Sequence, residues 1–228
     1  MLIKSLEENI NYSFKNERLL EEALTHRSYL NENPREGISH NERLEFLGDA
    51  VLELAVTEDL YARFPQYEEG TLTSFRAALV NYIMLSTIAR ELGLDGFLRL
   101  SKGEAKDTGR AREVILANAM EALIGAIYLD TGYPSARAFV LRVVMPHLAS
   151  VMEHETYRDP KSTLQEKVQA DLKTTPSYRI ISEIGPDHNK VFTMGVYFGD
   201  KLVAEGAGPS KQEAEIEAAK NALAKMPR

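Results

Sequence analysis

The sequence contains no cysteine. That absence excludes disulfide bonds, thiolate metal sites and a cysteine nucleophile, and it is typical of proteins from a reducing compartment. No uninterrupted apolar run approaches the about 18 residues that a membrane-spanning helix needs. The first residues, MLIKSLEE, carry acids where a secretory signal peptide has its apolar core. We therefore expect a cytoplasmic protein without a membrane partner.

Two widespread catalytic patterns are also missing. No GxxxxGK[S/T] phosphate-binding loop occurs, so a nucleotide cofactor is not expected. The histidines His26, His40, His147 and His154 show no pairing spacing and no serine or cysteine partner pattern. This argues against a serine–histidine hydrolase.

Positive charge is scarce in the first two-thirds of the chain. Lys and Arg number 27 against 34 Asp and Glu, a net charge of −7. Residues 1–158 carry that whole excess, whereas residues 159–228 hold ten charges of each sign. Such a balance argues weakly against a protein that holds nucleic acid by bulk electrostatics. The acids either make the surface soluble or are gathered to bind a metal.

Helical periodicity dominates the first part of the chain. Apolar residues recur about every 3.6 positions over Glu42–Arg63 and over residues 71–92, and each stretch predicts one amphipathic helix. Residues 101–112 are polar and predict a loop. Residues 113–129 are apolar enough for a central buried helix, and residues 134–155 predict a further amphipathic helix.

A different pattern begins near residue 160. Residues 153–159 are polar and precede the helix-excluding Pro160, which predicts a linker between two domains. No convincing β alternation comes before residue 175, whereas residues 192–198 alternate strictly. Ser210, with Glu213 three positions later, predicts a capping box that opens the last helix. The remaining predicted elements are a helix at 162–172 and strands at 178–184 and 202–206.

The predicted fold class is thus an all-α N-terminal domain followed by a small α+β domain of order α-β-β-β-α. The first domain covers residues 1–152, the linker residues 153–159, and the second domain residues 160–228. In the second domain two helices are expected to cover one face of the sheet.

Acidic residues gather on two predicted helices. Glu42, Glu45 and Asp49 follow one another at i, i+3 and i+7 and so share one helix side. Asn118 and Glu121 interrupt the most apolar helix in the same way. An ionised carboxylate on a core helix destabilises the fold by roughly several kcal/mol unless a cation neutralises it. Because Mg²⁺ prefers such oxygen ligands, the pattern predicts an open Mg²⁺ site suited to phosphodiester hydrolysis.

The spacing alone leaves a simpler interpretation open. Acids one turn apart are common on solvated helix faces, where cations such as Arg43 or Arg76 pair with them. Glu68 and Glu69 fit the start of a helix, whose N-terminus favours negative charge.

Residues 40–52, HNERLEFLGDAVL, resemble the signature of the ribonuclease III family. Further family blocks follow in the same order, and the resemblance extends over essentially the whole chain. They are THRSY at 25–29, Glu69-Gly70 with Arg76-Ala77, and ILA at 115–117 before EALIGA at 121–126. The resemblance implies an all-helical endonuclease domain that forms a homodimer, cuts both strands of double-stranded RNA and needs Mg²⁺, with Mn²⁺ as a substitute. It also implies 5′-phosphate and 3′-hydroxyl ends and a role in rRNA and mRNA processing.

The resemblance implies roles for individual positions. Asp49 and Glu121 match catalytic residues, and Glu45, Asp49, Asn118 and Glu121 match metal ligands. Asn118 stands where many members have aspartate. Its amide oxygen can still ligate Mg²⁺ or orient a coordinated water, but it adds no negative charge.

Three interpretations of Asn118 stay open. The residue is a natural and active variant, a substitution made to trap bound RNA, or the mark of a weakened enzyme. The main alternative function is therefore a double-stranded RNA-binding regulator with impaired cleavage. A third candidate is a helical metal hydrolase of small phosphate esters.

Other positions near the predicted site also match the family. Glu42 and Glu69 match acids with secondary roles near the cleavage site. Phe46 matches an aromatic residue at the dimer interface that fits into the partner subunit. Its alternative role is an ordinary core residue, packed within its own subunit.

Residues 160–228 resemble a double-stranded RNA-binding domain. The residues that the resemblance implies in RNA binding are Ser162, Gln165, Glu166, His188, Ser210 and Lys211. A helix N-terminus with Ser210 and Lys211 offers backbone donors and a cation to a phosphate. Gln165 and Glu166 would reach 2′-hydroxyls in the shallow minor groove, where such domains read shape. The balanced charge and Gln212, where a second lysine is frequent, predict modest and salt-sensitive affinity.

Overall fold

The computed structural model describes residues 2–34, 37–153, 160–186 and 190–226. The chain divides into two compact units, Met1–Tyr157 and Arg158–Arg228. Of the expected linker at 153–159, only Glu153 lies within the described residues.

The first unit is helical, as its apolar periodicity predicts. An isolated parallel bridge joins Thr25 to Arg99. In chain order the helices are α1 (Leu2–Ile10), α2 (Glu17–Ala23), α3 (Arg27–Glu32), α4 (Glu42–Arg63), α5 (Glu69–Val80), α6 (Tyr82–Glu91), α7 (Arg110–Thr131), α8 (Tyr133–Val143) and α9 (Leu148–Glu153), with 3₁₀ turns at Leu94–Phe97, Glu104–Lys106 and Met145–His147.

Helices α4 and α7 lie against each other at the centre of this unit. A Cβ atom on Gly48 of α4 would lie 1.7 Å from the Glu121 carbonyl oxygen, and one on Gly125 of α7 would lie 2.3 Å from the Leu44 carbonyl oxygen. Since no larger residue fits at either position, the two backbones touch. This contact fixes which turns of the two helices face each other.

Helix α7 is the buried central helix that the sequence predicts, and it is buried on nearly every face from Ile115 to Ile127. By length and composition it is also apolar enough to cross a membrane, although Asn118 and Glu121 interrupt its apolar run. In the structure 61% of its most apolar stretch is buried inside the unit. A core helix has this property too, and its burial identifies α7 as one.

The prediction of a single helix over residues 71–92 is wrong. Helices α5 and α6 meet at Asn81, whose backbone is extended, and their axes bend by 47°. The Asn81 side chain accepts from the Met84 N–H at 3.0 Å and donates to the Ala78 carbonyl at 2.9 Å, so it caps both helices. The helix predicted over residues 134–155 is likewise interrupted, by a turn that contains Pro146.

The second unit confirms the predicted order α-β-β-β-α. Its antiparallel sheet has the strand order β1-β2-β3, and a hydrophobic core of Leu164, Val168, Val196 and Ala204 lies between sheet and helices. A Cβ atom on Gly206 would lie 2.1 Å from the Ala218 nitrogen, so the last helix lies directly on the sheet. The elements are α10 (Pro160–Leu172), β1 (Pro176–Ile184), β2 (Val191–Phe198), β3 (Lys201–Gly208) and α11 (Lys211–Lys225).

Candidate functional site

The contact between α4 and α7 brings together the four side chains expected to bind a metal. Glu45 and Asp49 lie on α4, on either side of the turn that contacts α7 through Gly48. Asn118 and Glu121 lie on α7, where the backbone of Glu121 itself touches Gly48. Asp49 is exposed, and the other three are half-buried.

The carboxylates of this cluster repel one another. Burial, followed by the negative charges of Asp49 and Glu45, raises the pKa of Glu121 to about 8. Burial also raises the pKa of Glu45; Glu42 and Asp49 add to the rise, and a hydrogen bond with Asn118 opposes it. Within the described part of the chain, no ion pair reaches Glu45, Asp49 or Glu121. The acid cluster therefore lacks a protein cation, and the interpretation as paired surface acids does not apply to it.

The cluster is open rather than a closed cage. Among the described residues, no group of three or more histidine, aspartate and glutamate side chains is arranged so that it could hold a metal ion. The donor chemistry still fits a hard divalent ion, since three carboxylates and one amide oxygen are the ligand types that Mg²⁺ takes. A bound cation would also lower the raised carboxyl pKa values.

Glu42 lies one helical turn before Glu45 at the edge of this cluster. Its Oε1 lies 3.3 Å from the Arg27 guanidinium, and its Oε2 lies 3.8 Å from His40 Nδ1. Glu69 lies elsewhere, at the start of α5. It lines a cavity of about 390 Å³ together with Tyr61, Tyr67, Leu72 and Arg76. The fold of the chain thus brings Glu42, but not Glu69, to the acid cluster.

Phe46 lies next to Glu45 on α4, and 82% of it is exposed. Its alternative role as a core residue of its own subunit is therefore wrong. Two further apolar residues of the same helix are exposed, Leu54 by 50% and Tyr61 by 76%. No sequence signal points to Tyr61 or to the cavity that it lines, because an aromatic residue at helical spacing is typical of core.

Five of the six residues expected to bind RNA lie on α10 or at the start of α11. Ser162, Gln165 and Glu166 are exposed on α10. Ser210 caps α11, since its hydroxyl accepts from the Glu213 N–H at 3.2 Å. His188 lies outside the described residues.

Lys211 is exposed at the start of α11 but has a partner already. Its Nζ lies 3.4 Å from Glu183 Oε1 and 5.7 Å from the centre of the Phe192 ring. Glu183 belongs to no motif that the sequence analysis found. Only the fold, which places the end of β1 beside the start of α11, identifies it.

Known proteins share both the sequence and the fold of this chain. Residues 16–148 match the family model of ribonuclease-III-like domains, and residues 160–226 match that of the double-stranded RNA binding motif. The chain is 49% identical to Ribonuclease 3 of Carboxydothermus hydrogenoformans over 96% of this chain and 93% of that protein. It is 47% identical to Ribonuclease 3 of Bdellovibrio bacteriovorus over 96% and 94%.

A solved structure supports the same assignment. The nuclease domain of ribonuclease III from Campylobacter jejuni, described for flexibility in its dimer-forming region, superposes with a TM-score of 0.57. It is 42% identical and covers 63% of this chain and 96% of its own. The chain therefore belongs to the ribonuclease III family, as an endoribonuclease whose helical domain precedes a double-stranded RNA-binding domain.

Proposed function

We propose that this protein hydrolyses phosphodiesters in both strands of double-stranded RNA with the help of Mg²⁺, for which Mn²⁺ substitutes. The products carry 5′-phosphate and 3′-hydroxyl ends. The observation that carries the proposal is the cluster of carboxylates where α4 and α7 touch, which no cation among the described residues pairs with. Such a cluster is costly in the fold unless a ligand uses it.

Glu45, Asp49, Asn118 and Glu121 would hold the ion. When bound, a divalent ion supplies charge stabilisation at the phosphate and an activated water. A hydrogen bond from the Asn118 amide favours the ionised form of Glu45. Without a cation, the cluster repels the RNA backbone. We therefore expect binding of RNA at this site to depend on the ion, with Asp49 and Glu121 as the catalytic acids and Glu42 and Glu69 in secondary roles.

The second domain holds the duplex. Exposed polar residues on α10 would contact 2′-hydroxyls, while Lys211 and the N-terminus of α11 would contact phosphate. The proposed contacts are those of Ser162, Gln165, Glu166, Ser210 and Lys211, with His188 in the same role. We propose domain boundaries at 152 and 160, which the family matches at residues 16–148 and 160–226 support.

A second copy of the chain is the proposed cover for the exposed apolar face of α4. Exposed aromatic and aliphatic residues that follow one helix are typical of protein interfaces. Phe46 is large and almost fully exposed, and the cavity beside Tyr61 has room for a phenylalanine side chain. We propose that the Phe46 side chain of each subunit enters this cavity in the other, as part of a homodimer.

The proposed setting is the cytoplasm, with rRNA and mRNA precursors as substrates. Two features support this setting: the RNA-binding domain, which is present, and the lack of cysteine. The alternative, a duplex-binding regulator with impaired cleavage, depends on Asn118, which leaves the cluster one negative charge short of the aspartate pattern.

Cleavage of a labelled RNA duplex with Mg²⁺ and with EDTA tests the proposal. We expect cutting that EDTA abolishes and that Glu121→Gln lowers by about a hundredfold or more while duplex binding is retained. Asn118→Asp decides between the two candidates. If the native chain binds without cutting and the aspartate variant cuts, the regulator is correct; if neither cuts, the site assignment is wrong.

A further inference from the structure

Helix α3 begins with an uncommon capping residue, His26. Its imidazole Nδ1 accepts from the Ser28 N–H at 3.3 Å. Helix α2 begins in the same way with Asn16, whose side-chain oxygen accepts from the Arg18 N–H at 3.2 Å. Asparagine is a usual N-cap residue and histidine is not. The geometry therefore requires only an acceptor, and histidine adds a group that gains a proton near neutral pH.

Ser28 connects this cap to the segment before α7. The Ser28 hydroxyl lies 2.8 Å from His26 Nδ1 and accepts from the Ser101 N–H at 3.1 Å. Because Nδ1 already accepts from a backbone N–H, it carries no proton, so the Ser28 hydroxyl donates to it. Glu32 accepts from the Lys102 N–H at 3.2 Å nearby. While His26 is neutral, Nδ1 accepts from the N–H and the hydroxyl of Ser28; once protonated it accepts from neither, and the Ser28 N–H loses its cap.

The same segment also holds the start of α4. The buried Asn41 donates its N–H to the Thr25 carbonyl at 2.9 Å and its side-chain amide to the Ala23 carbonyl at 3.3 Å. Arg27 lies 3.3 Å from Glu42 on the first turn of α4. Residues 23–28 thus connect the helix that carries Glu45 and Asp49 to the segment that leads into α7.

The surroundings of His26 favour its neutral form. Burial lowers the pKa of His26, and the charges of Arg27 and His40 lower it further. Glu104 in the turn before α7 and Glu42 on α4 oppose this. The neutral imidazole is therefore the form at pH 7. As the pH falls below the ordinary histidine pKa of 6.5, the unfolded chain gains a proton before the folded one does, and the stability that the cap provides is lost.

We propose that His26 is a positioning residue for the cleavage site: its neutral imidazole caps α3 and orients Ser28, which holds the segment before α7, and its protonation removes that cap. With histidine as the N-cap, the hydrogen bond that caps α3 depends on pH. Asparagine does not titrate, so the Asn16 cap of α2 has no such dependence. The effect on cleavage rests on the proposed function. The effect on hydrogen bonding does not, because it can be measured without RNA or metal.

Amide hydrogen exchange in the full chain, without RNA or added metal, tests the structural part. Rates are compared at pH about 7.5 and about 5.5, on either side of the histidine range, after correction for intrinsic exchange. We expect protection of the Ser28 amide to fall about fivefold at the lower pH, the usual worth of an N-cap, with a smaller loss at Ser101. The Arg18 and Met84 amides, capped by Asn16 and Asn81, serve as internal controls and should not change.

Two variants separate titration from mere structure. His26→Asn keeps an acceptor, so Ser28 should stay protected at both pH values, and duplex cleavage should lose the part of its acid decline that His26 causes. His26→Ala should lose protection at both. If His26→Asn shows the same pH-dependent loss as the native chain, another group titrates and the proposal is wrong. If the chain cuts no RNA at all, the proposed function fails, but the exchange results still test the role of His26. If His26→Ala does not fold, the exchange rates of His26→Asn alone decide whether His26 is the group that titrates.

Discussion

At the scale of one residue, Glu121 shows how the acid cluster lowers the free energy of unfolding. Its pKa is raised from 4.5 to about 8, because the carboxyl is buried beside Asp49 and Glu45. The folded protein therefore keeps a proton that the unfolded chain has already lost. Stability from this group is complete below pH 4.5 and is lost as the pH rises through about 8. A divalent cation reverses the penalty, since it stabilises the ionised form.

Glu121→Gln should consequently stabilise the metal-free protein at alkaline pH. The expected gain in the free energy of unfolding is about 1–2 kcal/mol at pH about 8.5, smaller than the pKa difference alone implies because solvent screens a half-buried group. Little gain is expected near pH 4.5. Urea unfolding across this range measures it, with Glu8→Gln, an exposed acid of α1, as control. A native stability that does not change with Mg²⁺ or pH would contradict the interpretation.

At the scale of elements, the sequence predicts helices well and their interruptions poorly. Periodicity identifies α4 because it buries an apolar stripe, and high apolar content identifies α7, which is buried on nearly every face. A similar stripe continues through Asn81, where one side-chain cap bends the chain by 47°, so periodicity alone misses the break. Pro146 is a clearer signal of interruption, because proline disfavours helix in the residue before it, yet the helix predicted over residues 134–155 runs through it.

The site was predictable in part for a related reason. Spacing places Glu45 and Asp49 on one helix side and Asn118 and Glu121 on another, but it says nothing about how near the two helices lie. The helices come close because Gly48 and Gly125 let their backbones touch. A single sequence does not reveal that these two glycines face the opposite helix, so only the structure shows the contact. Glu183 was missed because strand pairing, not a motif, brings it to Lys211.

Glu183→Gln should strengthen duplex binding, because it frees Lys211 at the N-terminus of α11. We expect Kd at moderate salt to fall about two- to threefold, the usual size of an exposed ion pair. The slope of log Kd against log salt should also steepen by up to about 0.9, the value of one added phosphate contact. Fluorescence anisotropy with labelled duplex at several salt concentrations measures both.

The matched control for this prediction is Glu217→Gln. Glu217 pairs with Lys220 at 3.6 Å within α11, and its replacement changes the net charge by the same amount. An equal gain in both variants would mean that net charge, not release of Lys211, controls affinity.

At the scale of the whole molecule, charge and binding are divided between the domains. The nuclease domain carries the acid excess, and the RNA-binding domain is electrically balanced. Neither favours tight binding of a polyanion by bulk charge. The proposed dimer would change this, because two RNA-binding domains on one assembly would bind a duplex with avidity. Dimerisation is therefore expected to decide how well the enzyme works at low protein concentration.

Phe46→Ala tests that dependence. Phe46 is 82% exposed, so its loss should leave the chain folded and its melting temperature nearly unchanged, while it removes an aromatic anchor from the proposed interface. We expect the dimer dissociation constant to rise by at least about tenfold in sedimentation experiments. Duplex cleavage should fall at low protein concentration and recover as the concentration is raised. Ile184→Ala, which shortens a side chain 68% exposed in the second unit, should change neither. If Phe46→Ala sediments as the native protein does, the exposed face of α4 has another occupant, and the cavity beside Tyr61 does not receive this side chain.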